Sequence, residues 1–301
     1  MNRRAQAWLV PLAVFLMLAA GFGGSVRAAA PEPRPELLVE PGWLAANLEA
    51  PEWRVVDLRS PADYRRGHVP GAVLLPREAI LAERNGIPAM LPPIREVEQA
   101  FRRAGIGQNS VVVGYDDSNG LLAARLFWAL DYLGQGKGRV LNGGWRGWLA
   151  AGGTVSRESP PVPPGDFVAR PQPDRIADRA WVRSNYTRPD TAVIDARSLL
   201  EFKGITRYSR KGGHIPGARL VNWKKHLASG KGGVIRPVEE LREIYAPLGL
   251  AEKKEIVVYC QVLMRAAHSY FVLKLLGYPN VRGYDGSWAE WGNREDTPVE
   301  R

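Results

Sequence analysis

The chain has 301 residues, 45% hydrophobic and 24% charged, with a formal net charge of +10 and a single cysteine. This length suggests about two domains, each with enough chain to bury a core, and the composition excludes a disordered or fibrous protein. The basic excess suits anionic substrates, but no Lys/Arg block of five or more occurs, so nucleic acid is not an expected partner.

Residues 1–30 read as a secretory signal. Asn2-Arg3-Arg4 form a basic start, residues 7–22 are apolar or Gly/Pro throughout, and Ala28-Ala29-Ala30 offers a small-x-small cleavage site. Cleavage after Ala28 or Ala30 is predicted; removing all 30 residues takes away Arg3, Arg4 and Arg27 and lowers the net charge to +7. The apolar stretch is interrupted by Pro11 and falls short of the roughly 20 residues that span a bilayer. Export to the periplasm or beyond is therefore expected, with no stable membrane insertion after cleavage. The Arg3-Arg4 pair leaves the export route open. An exported chain with one cysteine forms no internal disulfide, so its lone thiol invites a chemical explanation.

A proline-rich lead-in ends near Leu37. Residues 53–58, WRVVDL, predict a strand ending in Asp57, and Ser60-Pro61-Ala62-Asp63 is a helix start with proline in its first turn. Pro70-Gly71 marks a turn before an apolar strand at 72–75. A helical pattern follows at 97–104, a buried strand at 111–115 and a strongly apolar helix at 121–133. Strands alternating with helices of this length imply βαβ units and a parallel sheet.

The second half repeats the first. VVDLRSPADY at 55–64 is echoed by VIDARSLLEF at 193–202, and GHVPGAVLL at 67–75 by GHIPGARLV at 213–221. A strand–loop–helix block then recurs at an offset of 143 residues, which sets Asp117 in register with Cys260. NGGWRGW at 142–148 is answered by YDGSWAEW at 284–291. The expected organisation is a first domain at 37–152, a semi-rigid proline-rich linker at 153–175 and a second domain at 176–301.

The chemistry centres on residues 255–277. Ile256, Val257, Val258 and Tyr259 form a short apolar strand, Cys260 follows, and from Arg265 apolar residues recur at helical spacing. A cysteine between a parallel strand and a helix start meets the positive end of the helix and the inward N–H groups of a tight loop, surroundings that favour a thiolate. The bland alternative is a buried structural thiol.

The tandem D-x-R-S and G-H-[VI]-P-G-A blocks, the strand ending in one cysteine and the YDGSWAEWGN close together resemble the two-domain rhodanese family of thiosulfate and 3-mercaptopyruvate sulfurtransferases. The resemblance spans about residues 37–293. It implies an α/β architecture of two tandem rhodanese-like domains, each a central parallel sheet flanked by helices. It also implies that only the second domain is catalytic and that the active site lies near the domain interface. Asp117 in the cysteine's place agrees with an inactive first domain.

The resemblance further implies that the Cys260 thiolate attacks a small anionic sulfur donor and holds a persulfide until a thiol or cyanide acceptor takes the sulfur, with no metal or organic cofactor. Backbone N–H groups of residues 261–265 would face the anionic sulfur. Gln261, Val262, Leu263, Met264 and Arg265 form the six-residue loop with Cys260, and Arg197 matches the family's substrate-anion arginine. The alternative for each arginine is a structural pairing with an acid. The family's loop resembles C-x-x-G-x-[RT], whereas Val262, Leu263 and Met264 occupy the middle here. Three apolar side chains are expected to wall the pocket and to favour a larger or partly apolar donor. A phosphatase-like loop needs one more residue before its arginine, so hydrolysis of a phosphate is a minor reading. A non-enzymatic sulfane-sulfur carrier is the main alternative.

Other residues have plainer expectations. His68 and His214 recur in both repeats and fit turn-stabilising hydrogen bonds, and Asp57 and Asp195 fit braces of the strand-to-helix turn. His268 and the paired tryptophans Trp145, Trp148, Trp288 and Trp291 fit packing. Four scattered histidines and one cysteine show no metal-ligand spacing. The second repeat is longer by eight residues around Lys203, Arg207, Arg210 and Lys211, which form either a basic lip over the site or a solvated loop.

Overall fold

The computed structural model describes residues 30–301, so the expected signal lies outside the described residues except for Ala30. Among the described residues no helix is long and apolar enough to cross a membrane. In the first half, β1 (Leu38–Val39), β2 (Trp53–Asp57) and β3 (Val73–Leu74) precede an antiparallel hairpin of β4 (Ala82–Arg84) and β5 (Ile87–Met90), and β6 (Val111–Tyr115) and β7 (Gly138–Leu141) follow. The second half carries β8 (Ile176–Ala177), β9 (Thr191–Asp195), β10 (Arg219–Leu220), β11 (Glu255–Tyr259) and β12 (Val281–Tyr284). The sheet orders are β1-β7-β6-β2-β3 and β10-β9-β11-β12-β8, the same topology read from opposite ends, with every pairing parallel.

Helices α1 (Pro41–Ala45), α2 (Pro61–Arg66), α3 (Ile94–Arg103), α4 (Leu121–Tyr132) and α5 (Gly144–Ala150) flank the first sheet. Their counterparts α6 (Arg179–Asn185), α7 (Leu199–Phe202), α8 (Val238–Tyr245), α9 (Arg265–Leu275) and α10 (Ser287–Trp291) flank the second. Ser60 caps α2 by accepting from the Asp63 N–H at 3.1 Å, as the Ser-Pro start predicts. The β4–β5 hairpin was not anticipated, although Asn85 and Gly86, both at positive φ (54° and 73°), carry the Asn-Gly signal for a tight hairpin turn.

Helices α4 and α9, each entered from the loop after its sheet's fourth strand in sequence, pack against one another. Phe127 meets Phe271 edge-on with centroids 5.0 Å apart, and the Tyr270 hydroxyl donates to Asp131 at 2.6 Å. Each helix is covered by its own sheet on one side and by the other half on the second, which is why both are apolar nearly all round. One hydrophobic core therefore runs from Phe101 and Val112 through Trp128 to Val258, Cys260 and Tyr270. Two matched bonds cross the same boundary. Asp285 accepts from the Leu91 N–H of the first half at 2.9 Å, and Asn142 accepts from the Ile235 N–H of the second at 2.9 Å. The proline-rich segment lies along the first half, with the Gly165 and Arg170 N–H groups donating to Arg102 and Leu133.

Candidate active site

Cys260 follows β11 directly and is fully buried. Five residues, 260–264, separate the strand from α9, and the loop closes with Leu263 in the left-handed region at φ 52°. A second left-handed residue, Ser287 at φ 48°, opens α10, and its hydroxyl holds the loop. Ser287 Oγ accepts from the Cys260 N–H at 3.3 Å and the Leu263 N–H at 3.0 Å while donating to the Tyr284 carbonyl at 2.7 Å. The Trp288 N–H adds a bond to the Cys260 carbonyl at 2.9 Å. This brace corrects the expectation that the N–H groups of residues 261–265 all face the sulfur, because that of Leu263 is bound to serine.

The three apolar loop residues also part company. Leu263 is fully buried in the core, where its Cδ2 approaches Gly283, while Val262 and Met264 remain partly exposed. The expected apolar wall of three side chains is thus reduced to two. A left-handed backbone at position 263 turns the side chain inward, away from the solvent side of the loop.

Arg265, the first residue of α9, makes a two-pronged bond to the Glu201 carboxylate at 2.7 and 2.8 Å. Burial opposes its charge, but Glu201 and the neighbouring Cys260 sulfur outweigh that and hold the guanidinium above its ordinary value. Burial likewise opposes the Glu201 charge, yet Arg265 and the Ser198 hydroxyl and N–H pull its carboxyl down to about 2. Of the two expectations for Arg265, its contacts show the pairing with an acid, with the Cys260 sulfur close by.

Arg197 is placed differently from the expectation. Its guanidinium is buried at 2% exposure, bonds both Asp195 oxygens at 2.7 to 3.0 Å and the Gly213 carbonyl at 2.7 Å, and lies over the Trp288 ring. Arg59 repeats the arrangement in the first half with Asp57, the Gly67 carbonyl and Trp145. An arginine so held in both halves, only one of which contains a cysteine, braces the strand-to-helix turn. The assignment of Arg197 to the donor anion is corrected on this placement.

The first half shows what the loop does without a cysteine. Asp57 pairs with Tyr115 across the sheet as Asp195 pairs with Tyr259, and the Trp145 N–H donates to the Asp116 carbonyl as that of Trp288 does to Cys260. Asp116, not Asp117, therefore occupies the cysteine's position. Its buried carboxylate accepts from the N–H groups of Ser118, Gly120 and Ala123 at 2.7 to 2.9 Å. The loop that would cradle an external anion is filled by its own side chain.

The remaining residues mostly fit their plainer readings. His68 and His214 bond the Tyr64 and Phe202 carbonyls at 2.8 and 2.9 Å and stack on those rings. His268 is buried against Trp223 and bonds His226 at 3.2 Å. The inserted segment lies beside the Cys260 loop: Gln261 Nε2 donates to Ser209 Oγ at 3.2 Å, and the Trp288 indole donates to the Lys211 carbonyl. Lys211 itself is committed to the Glu295 and Thr297 carbonyls. Ser287 was missed by sequence reasoning. The signal was the serine facing Gly144 in the aligned NGG and DGS segments, where a side chain replaces a glycine at a left-handed position.

Comparison with known proteins agrees with this architecture. The profile of the rhodanese-like domain matches residues 40–151 and 178–294. A thiosulfate sulfurtransferase of Azotobacter vinelandii is 39% identical over 88% of this chain and 97% of its own. The sulfur carrier protein TtuD of Thermus thermophilus is 37% identical over 88% of this chain and 96% of its own. The solved structure of SseA from Escherichia coli, described among 3-mercaptopyruvate sulfotransferases, superposes with a TM-score of 0.73 at 30% identity, covering 84% of this chain and 98% of that one. Two matched domains, identity sustained along nearly the whole of each relative and one shared fold leave a single conclusion: the chain belongs to the rhodanese family.

Proposed function

We propose that the protein is a sulfurtransferase that moves sulfane sulfur from thiosulfate or 3-mercaptopyruvate to a thiol or cyanide through a Cys260 persulfide. The observation that carries this is the contrast between the two halves: matched loops, each tied by a tryptophan N–H to the carbonyl of its first residue, hold a carboxylate at Asp116 and a thiol beside a cation at Cys260. The relatives named thiosulfate sulfurtransferase and 3-mercaptopyruvate sulfotransferase support the reaction class.

In the first step the Cys260 thiolate attacks the outer sulfur of thiosulfate. The donor S–S bond breaks, sulfite leaves with its electron pair, and Cys260 carries an anionic outer sulfur. The N–H groups of Gln261, Val262 and Met264 have no acceptor among the described residues and are the donors for that anion. Arg265 supplies the neighbouring positive charge. In the second step cyanide or a thiolate attacks the outer sulfur and Cys260 leaves as thiolate. With 3-mercaptopyruvate the donor bond broken is C–S, and the carbon takes up a proton to give pyruvate. The catalytic residue is Cys260; Arg265, Gln261, Val262 and Met264 contact donor, and Leu263 and Arg197 support the loop from behind.

Export with loss of residues 1–30 belongs to the same proposal, supported by the basic start, apolar stretch and small-residue site. The sulfur-carrier reading stays as the second one, supported by the likeness to TtuD and by leucine at the loop's left-handed position. Intact mass spectrometry of the mature chain before and after each donor separates the two. A gain of about 32 Da, lost to cyanide and absent in Cys260→Ser, supports the enzyme when steady-state turnover accompanies it. Persistent loading with negligible turnover favours the carrier, and no loading by either donor overturns both.

A further inference from the structure

Four large apolar side chains lie exposed within ten residues of chain: Leu199 and Leu200 (51% each), Ile205 (67%) and Tyr208 (68%). The same short α7 turns Glu201 inward to Arg265 and turns these two leucines outward. The chain then folds back, with the Ile205 and Thr206 N–H groups both donating to the Leu200 carbonyl, and reaches the other flank of the Cys260 loop, where Ser209 receives Gln261. The patch is thereby tied to both ends of the loop, at Arg265 through Glu201 and at Gln261 through Ser209.

Charge in this segment is one-sided. Lys203, Arg207 and Arg210 are exposed and have no carboxylate partner among the described residues. From residue 196 to residue 212 the only acid is Glu201, which is buried and paired with Arg265. The first repeat is eight residues shorter at this place, so the patch belongs to the half with the cysteine. Small acceptors such as cyanide need no apolar surface. Exposed leucine, isoleucine and tyrosine interspersed along the chain with cations that have no carboxylate partner form a surface suited to an apolar centre with an acidic rim.

We propose that residues 199–210 form the docking surface for an acidic protein partner that presents its acceptor thiol to Cys260, an inference that rests on the sulfurtransferase reading. In the transfer the partner's thiolate attacks the outer sulfur of the Cys260 persulfide. The S–S bond to Cys260 breaks, a partner persulfide forms, and Cys260 departs as thiolate.

The test uses the mature full-length chain and two synthetic cysteine peptides with the same leucine and phenylalanine residues, one flanked by Asp/Glu and one by Lys. After loading with thiosulfate, the acidic peptide is expected to accept sulfur with at least tenfold higher kcat/KM than the basic one, a preference that shrinks as salt rises. Lys203→Glu/Arg207→Glu/Arg210→Glu and, separately, Ile205→Ser/Tyr208→Ser should each lower transfer to the acidic peptide about tenfold and leave cyanide turnover within about twofold. Equal use of the two peptides, or variants that leave peptide transfer unchanged, overturns the docking surface. Absence of cyanide turnover in the unaltered protein instead sinks the sulfurtransferase reading. Docking is then decided by fluorescence anisotropy with serine versions of both peptides, where equal binding overturns it and preference for the acidic peptide, lost in the variants, upholds it.

Discussion

Leu263 sets two costs against each other. A leucine in the left-handed region costs about 1–2 kcal/mol, whereas emptying a buried leucine site costs roughly 2.7–5.0 kcal/mol. The second effect is larger, so Leu263→Gly, although it restores the family's glycine, is expected to destabilise the protein by about 1–3 kcal/mol and lower Tm by a few degrees. A rise in Tm by calorimetry would show that strain dominates. Ser287 carries the opposite balance, because its strain holds a hydroxyl that two loop N–H groups need. Ser287→Ala leaves both without acceptor; the expected cost is about 1–3 kcal/mol together with slower persulfide formation, read by single-turnover loading with thiosulfate. Glu201 gives a pH dependence. Its carboxyl lies at about 2 in the folded chain, below its ordinary 4.5, so the Arg265 pair contributes fully above about pH 4.5 and is lost as pH falls toward 2. Tm measured against pH should fall over that window, and Glu201→Gln should flatten the fall. Cys260 was legible in the sequence because strand, loop and helix are local patterns. The inward turn of Leu263 and the burial of Arg197 were not, because both depend on what the far side of the sheet supplies.

At the scale of elements, the two loops show how one sequence block serves opposite ends. From Tyr115 to Tyr259 the offset between halves is 144 residues and remains so at Leu121 and Arg265, but by Gly134 and Gly277 it is 143. The difference lies inside the helices, since α4 has 12 residues and α9 has 11. A helix apolar on all sides offers no mark for the missing residue, which is why matching helix ends selected Asp117 in place of Asp116. The sheet register reveals the correct partner only through hydrogen bonds between strands. The function of Asp116 follows from that position. Burial raises its carboxyl above the ordinary range, and three N–H groups work against the rise without cancelling it. Asp116→Ala orphans all three, so a loss of about 1–3 kcal/mol or more is expected by chemical denaturation. Sulfur transfer to cyanide by the folded fraction should remain within about twofold of the unaltered protein, since Cys260 sits in the other half. A large loss of turnover in folded protein would mean that the first loop takes part in the chemistry.

For the whole molecule, the repeat in the sequence suggests two separable units, yet the packing joins them. The core passes from one sheet to the other through α4 and α9, and Arg125 of α4 lies 2.7 Å from Asp285, both buried. Asp285 directly follows β12, two residues before the serine that braces the Cys260 loop, and also receives the Leu91 N–H from beyond the β4–β5 hairpin. The first half, which has no cysteine, thus supports the second half's site from behind. Removing one partner of such a buried pair strands a charge and costs about 3–5 kcal/mol. Arg125→Ala should therefore lower stability by that order and also slow thiosulfate loading of Cys260, although residue 125 belongs to the half without a cysteine. The intact protein should unfold in one calorimetric transition whose van't Hoff and calorimetric enthalpies agree, because a shared core leaves neither half able to retain its packing alone. A chain of residues 176–301 expressed alone would expose the α9 face that α4 covers, and it should lack a cooperative transition. Two resolved transitions in the intact protein, or native-like unfolding of the fragment, would mean that each half carries its own stability and that the buried Arg125–Asp285 contact only orients them.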